Sequence, residues 1–211
     1  MDSFELREEY TSEIFDEKNV HKSPFEQFKN WFDEATKAKI FEPNAMALAS
    51  VDLNGAPSVR MILMKTFDEK GITFFSNYES KKGQQFIKNP NVAVLFYWEE
   101  LERQVRIEGK VEKLSPEGSD KYFETRPVGS RLGAWASPQS TIIADRNWLE
   151  SKHNEFRQQY KHGTVPRPAN WGGYILKPHS FEFWQGRQNR LHDRIEYILE
   201  KNKWNIRRLA P

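Results

Sequence analysis

The 211-residue chain has no cysteine. This excludes disulfides, thiolate metal sites and cysteine nucleophiles, and it fits a reducing compartment. No apolar run approaches the roughly 20 residues needed for a membrane-crossing helix. The opening MDSFELREEY is acidic and unlike a secretory signal. A soluble, cytoplasmic protein without membrane contact is therefore expected. An excess of one charge is missing too. Lys and Arg total 32 against 30 Asp and Glu, a net charge of +2, so there is no general pull toward nucleic acid and any basic patch must be local. The chain contains no Gly-x-Gly-x-x-Gly after a strand, no Gly-x-x-x-x-Gly-Lys-Ser/Thr and no His-Glu-x-x-His. Its five histidines are scattered, so no metal is expected. Repeats and low-complexity linkers are also absent, which points to a single domain over 1–211 with residues 1–22 as a mobile N-terminal arm.

Aromatic residues are plentiful at 14%, so the core should be built from rings. Ser23-Pro24-Phe25-Glu26 reads as a capped helix start. Phe25, Phe28, Phe32 and Ala35 follow at helical spacing, with Trp31 beside them. From Asn44 the period becomes strand-like. Runs at 45–51 and 57–65 flank Asp52-Leu53-Asn54-Gly55, a hairpin signal. Further strands are expected at 72–76, 92–98, 104–114, 171–176, from 181, at 195–199 and at 204–209, with a short helix after Ser80. Ser115 opens a helix that runs to Arg126, a second turn or helix carries Ser130, Arg131 and Trp135, and Asp145 caps a third with Trp148, Leu149, Phe156 and Tyr160 facing inward. The class is mainly β (α+β): a closed or partly closed barrel with peripheral helices.

The stretch from Phe181 to Arg194 is the most unusual. Its first half alternates and is aromatic, and its second half places Arg190, His192 and Arg194 at alternate positions. In an extended chain these three point to one side. Two guanidiniums and an imidazole on one face call for an anion or an electron-rich ring opposite them; the plain alternative is a solvated edge strand. Basic residues cluster elsewhere too. Arg60 and Lys65 are five apart and reach one site only at a bulge or strand end. Lys81 and Lys82 open a helix, where free N–H groups favour an anion. Arg126, Ser130 and Arg131 surround a helix break near Tyr122. Each cluster alone could be ordinary surface. Together they suit a site for two phosphorylated aromatic molecules.

Phe181-Glu182-Phe183-Trp184-Gln185 and Arg190-Leu191-His192-Asp193-Arg194 resemble the signature of the pyridoxine/pyridoxamine 5'-phosphate oxidase family. The likeness extends over Arg60 to Lys65, Phe75-Ser76-Asn77, Ser80-Lys81-Lys82, Arg103-Gln104-Val105, Tyr122-Phe123, Arg126-Pro127, Gly133-Ala134-Trp135, Gln139-Ser140, Trp171-Gly172-Gly173 and Arg208-Leu209-Ala210-Pro211. Two departures stand out: Glu8 follows Arg7 where some relatives carry two arginines, and Lys81 stands where Arg is frequent.

The resemblance implies an FMN-binding split β-barrel, a homodimer with flavin at the subunit interface. It places Arg60, Met61, Ile62, Leu63, Met64, Lys65, Phe75, Ser76, Lys81, Lys82, Gln139 and Ser140 around FMN, with Gln104, Trp184 and Arg194 also touching it. Lys65, Tyr122, Arg126 and Ser130 would take the substrate phosphate. Arg190, Leu191 and His192 would face the substrate ring, with Arg190 and His192 in catalytic roles and Arg7 and Tyr10 in a closing arm. The implied reaction oxidises pyridoxine or pyridoxamine 5'-phosphate at C4' to pyridoxal 5'-phosphate, with O2 reduced to hydrogen peroxide and ammonia released from the amine. His192 would orient the C4' substituent or accept a proton from it. Two alternatives use the same fold: a non-enzymatic module that binds flavin, haem or a B6 phosphate, and a nicotinamide-dependent flavin reductase.

Overall fold

The first helix of the computed structural model, which describes Tyr10 and residues 14–211, starts at its capping residue. Ser23 accepts the Phe25 N–H, and Pro24 occupies the first turn of α1 (Pro24–Lys37), where a missing N–H does no harm. Phe28, Trp31 and Ala35 are buried, and Phe25 and Phe32 pack at the margin of the same core. The rings of Phe28, Phe96 and Trp98 meet there, with Phe28 and Phe96 edge-on at 5.0 Å.

Among the described residues nine antiparallel strands form one sheet: β1 (Ala45–Val51), β2 (Pro57–Leu63), β3 (Thr66–Asp68), β4 (Gly71–Asn77), β5 (Asn91–Trp98), β6 (Arg103–Lys113), β7 (Trp171–Gln185), β8 (Asp193–Glu200) and β9 (Lys203–Leu209). The order is β2-β1-β5-β6-β7-β4-β3, with the β8–β9 hairpin leaving β7. Strand β7 is the branch point. It pairs with β6 on one edge; on the other, residues 171–176 pair with β4 and residues 180–185 with β8. The sheet therefore divides and curls into a half-barrel around the aromatic core.

The two runs expected at 171–176 and from 181 are in fact one strand of 15 residues. Pro178 lies within it, and a bulge absorbs the break: Gly109 faces Pro178, Glu108 faces Ser180, and the register shifts between them. A proline without an N–H is tolerated at such an irregularity. The close approach requires glycine, because a Cβ on Gly109 would lie 2.2 Å from the Lys177 carbonyl oxygen.

Other boundaries moved for local reasons. Strand β2 stops at Leu63 rather than Lys65, since the Met64 N–H bonds Asn44 O and the Lys65 N–H bonds Thr73 O. The three-residue β3 is too short to give a periodic signal. At the first hairpin the Asp52 carboxylate accepts the N–H groups of Asn54 and Ala56, while Gly55 takes φ +82°.

Four more α-helices among the described residues lie outside the sheet: α2 (Lys81–Lys88), α3 (Pro116–Thr125), α4 (Val128–Ala136) and α5 (Arg146–Gln159). No residue of α5 is fully buried. Its inward face rests on α4 instead of the core, with Phe156 and Tyr160 5.6 and 5.7 Å from the Trp135 ring.

Residues 14–22, expected within a mobile arm, are tied to the body. The Phe15 N–H bonds Asp193, the Tyr197 hydroxyl donates to His21 O, and Arg208 pairs with Glu17. No described helix is long and apolar enough to cross a membrane.

Gly109→Ala should destabilise the protein by more than ~2 kcal/mol because backbone atoms must move, whereas Gly55→Ala, with open space but a positive φ, should cost about 1 kcal/mol. Denaturant midpoints of the two variants test this order.

Candidate active site

A cavity of about 1090 Å³ opens between β2, β4, the start of α2 and the α3–α4 pair. Arg60, Lys65, Lys81, Lys82 and Arg126 line it, and among the described residues no lining side chain is acidic. Met61, Ile62, Leu63, Phe75, Ser76, Tyr122, Ser130, Gln139 and Ser140 complete the expected set at its walls. Arg60 and Lys65 both reach it because β2 ends between them. Met64 does not line it; its side chain is buried in the core cluster. Folding thus gathers residues from four separate segments around one space.

The cations are held by neutral groups. Lys82 is buried, and its Nζ donates to Ser76 Oγ at 2.9 Å, Gln139 Oε1 at 2.9 Å and Ser80 Oγ at 3.2 Å. Burial, with the nearby Arg60 charge, pushes its pKa down to about 8. Ser80 also caps α2 by accepting the Gly83 N–H, so the helix N-terminus adds its dipole to the same region. Arg60 donates to Ser50, Ser58 and the Leu48 carbonyl. Burial lowers the pKa of both Arg60 and Arg126.

The opposite wall is aromatic. Phe75 stacks on Tyr122 at 3.8 Å and on Trp171 at 5.5 Å, and the Arg126 guanidinium lies 4.4 Å from the Trp171 ring centre. Arg126 Nη1 is buried without a hydrogen-bond partner, a costly arrangement unless a ligand completes it. The chemistry offered is anion binding beside flat rings.

Trp171, Ser50, Ser58 and Gln85 had no assigned role in the sequence reading. The one available signal was Ser50, a hydroxyl in the inward register of Met46 and Leu48.

The remaining expected residues form a second cluster, and none of them lines the cavity. Gln104, Trp184 and Arg194 are direct partners across β6, β7 and β8, so they share one face of the sheet. Arg194 pairs with Glu182 at 2.9 Å and donates to Ala210 O at 2.8 Å. The extended chain expected through Arg190, His192 and Arg194 is not what forms. A tight helical turn covers Gln188–Arg190, and Asn189 and Arg190 have φ of +56° and +61°. The turn is needed to bring β8 back beside β7.

It still groups several of the expected side chains. His192 packs 4.6 Å from Trp184, Tyr10 lies edge-on to both rings, and Arg190 lies over Tyr10 at 5.6 Å. His192 Nδ1 accepts the Arg187 N–H at 3.1 Å. Burial and the Arg190 charge lower its pKa, against a smaller opposite effect from Asp193. Leu191 is exposed. Arg7 lies outside the described residues.

Comparisons with known proteins agree across the chain. Residues 32–160 match the family described as pyridoxamine 5'-phosphate oxidase, and residues 171–211 match the pyridoxine 5'-phosphate oxidase C-terminal dimerisation region. The pyridoxine/pyridoxamine 5'-phosphate oxidase of Crocosphaera subtropica is 52% identical over the full length of both chains. That of Cupriavidus taiwanensis is 53% identical over 98% of each. Among solved structures, PhzG from Burkholderia lata, in complex with tetrahydrophenazine-1-carboxylic acid, has a TM-score of 0.89 at 30% identity, covering 95% of this chain and 99% of its own. A pyridoxamine 5'-phosphate oxidase-related, FMN-binding protein from Nostoc punctiforme shares the fold, with a TM-score of 0.71 at 16% identity, covering 91% of this chain and 100% of its own. With both regions matched in order, and half its residues shared with oxidases of the same length, the chain belongs to the pyridoxine/pyridoxamine 5'-phosphate oxidase family.

Proposed function

We propose that the protein is an FMN-dependent oxidase that converts pyridoxine or pyridoxamine 5'-phosphate to pyridoxal 5'-phosphate, acting as a cytoplasmic homodimer of one-domain chains. The observation that carries this reading is the cavity in which Arg60, Lys65, Lys81, Lys82 and Arg126 meet without a carboxylate from any described residue. Such a lining suits two phosphate groups and disfavours cationic ligands. The donor set fits FMN: a buried lysine held only by neutral oxygens, an arginine on hydroxyls and helix N–H groups beside them.

In this reading Arg60, Lys82, Gln139 and Ser140 hold the flavin, with Met61, Ile62, Leu63, Phe75, Ser76 and Lys81 around it, while Met64 stays in the core beneath. Lys65, Tyr122, Arg126 and Ser130 hold the substrate phosphate, and the unpaired Arg126 Nη1 supports that role. Gln104, Trp184, Arg194, Arg190, Leu191 and His192 come from the second chain, with Arg7 and Tyr10 closing over the ring. Their separation from the cavity in one chain, together with a matched dimerisation region at 171–211, supports a site completed by both subunits.

FMN, when bound, supplies the two-electron acceptor and the reaction with O2. The alcohol and O2 give aldehyde and H2O2; the amine, O2 and water give aldehyde, ammonia and H2O2. The chain's own work is to bind, stack and orient. Arg190 covers the pyridine ring. Because Nδ1 of His192 accepts a backbone N–H, the neutral ring carries its proton on Nε2 and faces the substrate as a donor. We therefore assign it to orient the C4' oxygen or nitrogen.

His192→Gln, which keeps a donor, should retain kcat/KM within about tenfold, and His192→Leu should lose about 100-fold or more. Arg190→Met should lower kcat/KM while FMN stays bound. Equal losses in the two His192 variants would show that the ring must accept the proton.

Lys82 supplies a pH test. It is cationic below about 8 and neutral above, so FMN affinity should fall as pH rises through that value. A bound phosphate raises the lysine pKa, so calorimetry in two buffers should show proton uptake at about pH 8.5 that Lys82→Met abolishes. For the apo protein the sign is opposite. The unfolded chain binds the extra proton between about 8 and the ordinary 10.5, so this lysine's contribution to stability rises with pH across that window.

A further inference from the structure

Arg60 is a second firmly held cation of the cavity, and the groups that accept its hydrogen bonds are uncharged. Nη1 donates to Ser50 Oγ at 2.6 Å and Leu48 O at 3.2 Å, and Nη2 donates to Ser58 Oγ at 2.6 Å. Both hydroxyls then donate to a single atom, Gln85 Oε1, at 2.6 Å from Ser50 and 2.9 Å from Ser58. The network decides its own proton positions. Each serine oxygen faces a guanidinium N–H, so its hydroxyl proton must go to an acceptor, and the Gln85 oxygen is the acceptor both of them reach. Ser50 is fully buried and Gln85 is 4% exposed. The cradle thus ties β1, β2 and α2 together behind one side chain.

Gln85 satisfies only half of its amide. Its Nε2 is buried with no hydrogen-bond partner. A glutamate would offer the same two hydroxyls an acceptor, with a second carboxylate oxygen in place of the orphan donor, so the hydroxyls alone do not distinguish the two residues. The difference between the two residues is charge. A carboxylate behind the serines would cancel the guanidinium's field at the cavity, and no acidic residue among those described pairs with Arg60. Lys82 sits three residues earlier on α2, also buried, so the helix turn that sets Gln85 sets the second cation as well.

We propose that Gln85 is a positioning residue for Arg60: its amide oxygen fixes the guanidinium through Ser50 and Ser58, and its neutrality leaves the arginine's charge available to the phosphate of FMN. The inference rests on the FMN reading of this cavity.

The test compares the full-length protein with Gln85→Glu and Ser58→Ala after removal of flavin, titrating FMN by quenching of its fluorescence and recording the thermal midpoint of each apo form. Gln85→Glu should keep the apo midpoint close to that of the wild type, since the hydroxyls retain their acceptor and the Arg60 guanidinium beyond them offsets the buried negative charge. Its FMN dissociation constant should nevertheless rise at least tenfold, with a flatter dependence on salt. Ser58→Ala removes one link and adds no charge; it should fold and weaken FMN at least threefold. If Gln85 only fills space or bonds hydroxyls, glutamate substitutes for it, and FMN affinity within twofold of wild type would overturn the proposal. Should Gln85→Glu not fold, wild-type affinity in Ser58→Ala would overturn it instead. A wild-type protein that does not quench FMN would overturn the cofactor reading itself, a result distinct from equal binding by wild type and variant.

Discussion

The pairing of β6 with β7 is the constraint on which both functional regions depend. β7 keeps one neighbour along one edge and has two different neighbours on the other, so its halves can diverge and the sheet can curl. Its first half supplies Trp171 to the aromatic wall of the cavity, and its second half supplies Trp184 to the row that includes Gln104 and Arg194. Continuity through Pro178 is possible only because Gly109 lets the backbones approach. The bulge is thus part of the site's architecture, although none of its residues lines the cavity.

Charge is the second organising quantity. Cations gathered in one cavity repel each other and lose hydration. Here they are retained without neutralising acids, through hydroxyls, amides, a backbone carbonyl and a helix N-terminus. The cost shows in the lowered pKa of Lys82 and in the direction of the Arg60 and Arg126 shifts. Elsewhere the protein pairs charges freely, as in Arg194 with Glu182 and Arg208 with Glu17 and Asp193. Arg208 is thus held by acids, whereas Arg60 and Arg126 have no acidic partner among the described residues.

Much of the scaffold was legible from local chemistry. Ser23-Pro24 marks a helix start because capping and a fixed φ act within a few residues, and β1, β5 and β6 announce themselves by alternation. What local chemistry could not reveal was pairing at long range. The split runs of β7 merge only because a glycine on another strand accommodates the proline, and β3 exists only as a partner of β4. The stretch ending at Arg194 shows both outcomes. Its residue types and grouping pointed to a site, but the extended geometry inferred from alternate spacing gives way to a turn with left-handed residues. His192 still comes to Trp184, by a different route.

Residue identity, acting at short range, determined the aromatic core, most helix starts and strands, the basic clusters and the family signature. Only tertiary structure decided that Arg60, Lys82 and Arg126 face one space that no described acidic residue lines, that Gln104, Trp184 and Arg194 form a row apart from it, and that Gln85 stands behind Arg60. The reason is physical: capping and alternation are settled by neighbours in sequence, whereas the field at a cavity is a sum over groups brought together from distant segments, and no one segment carries that sum.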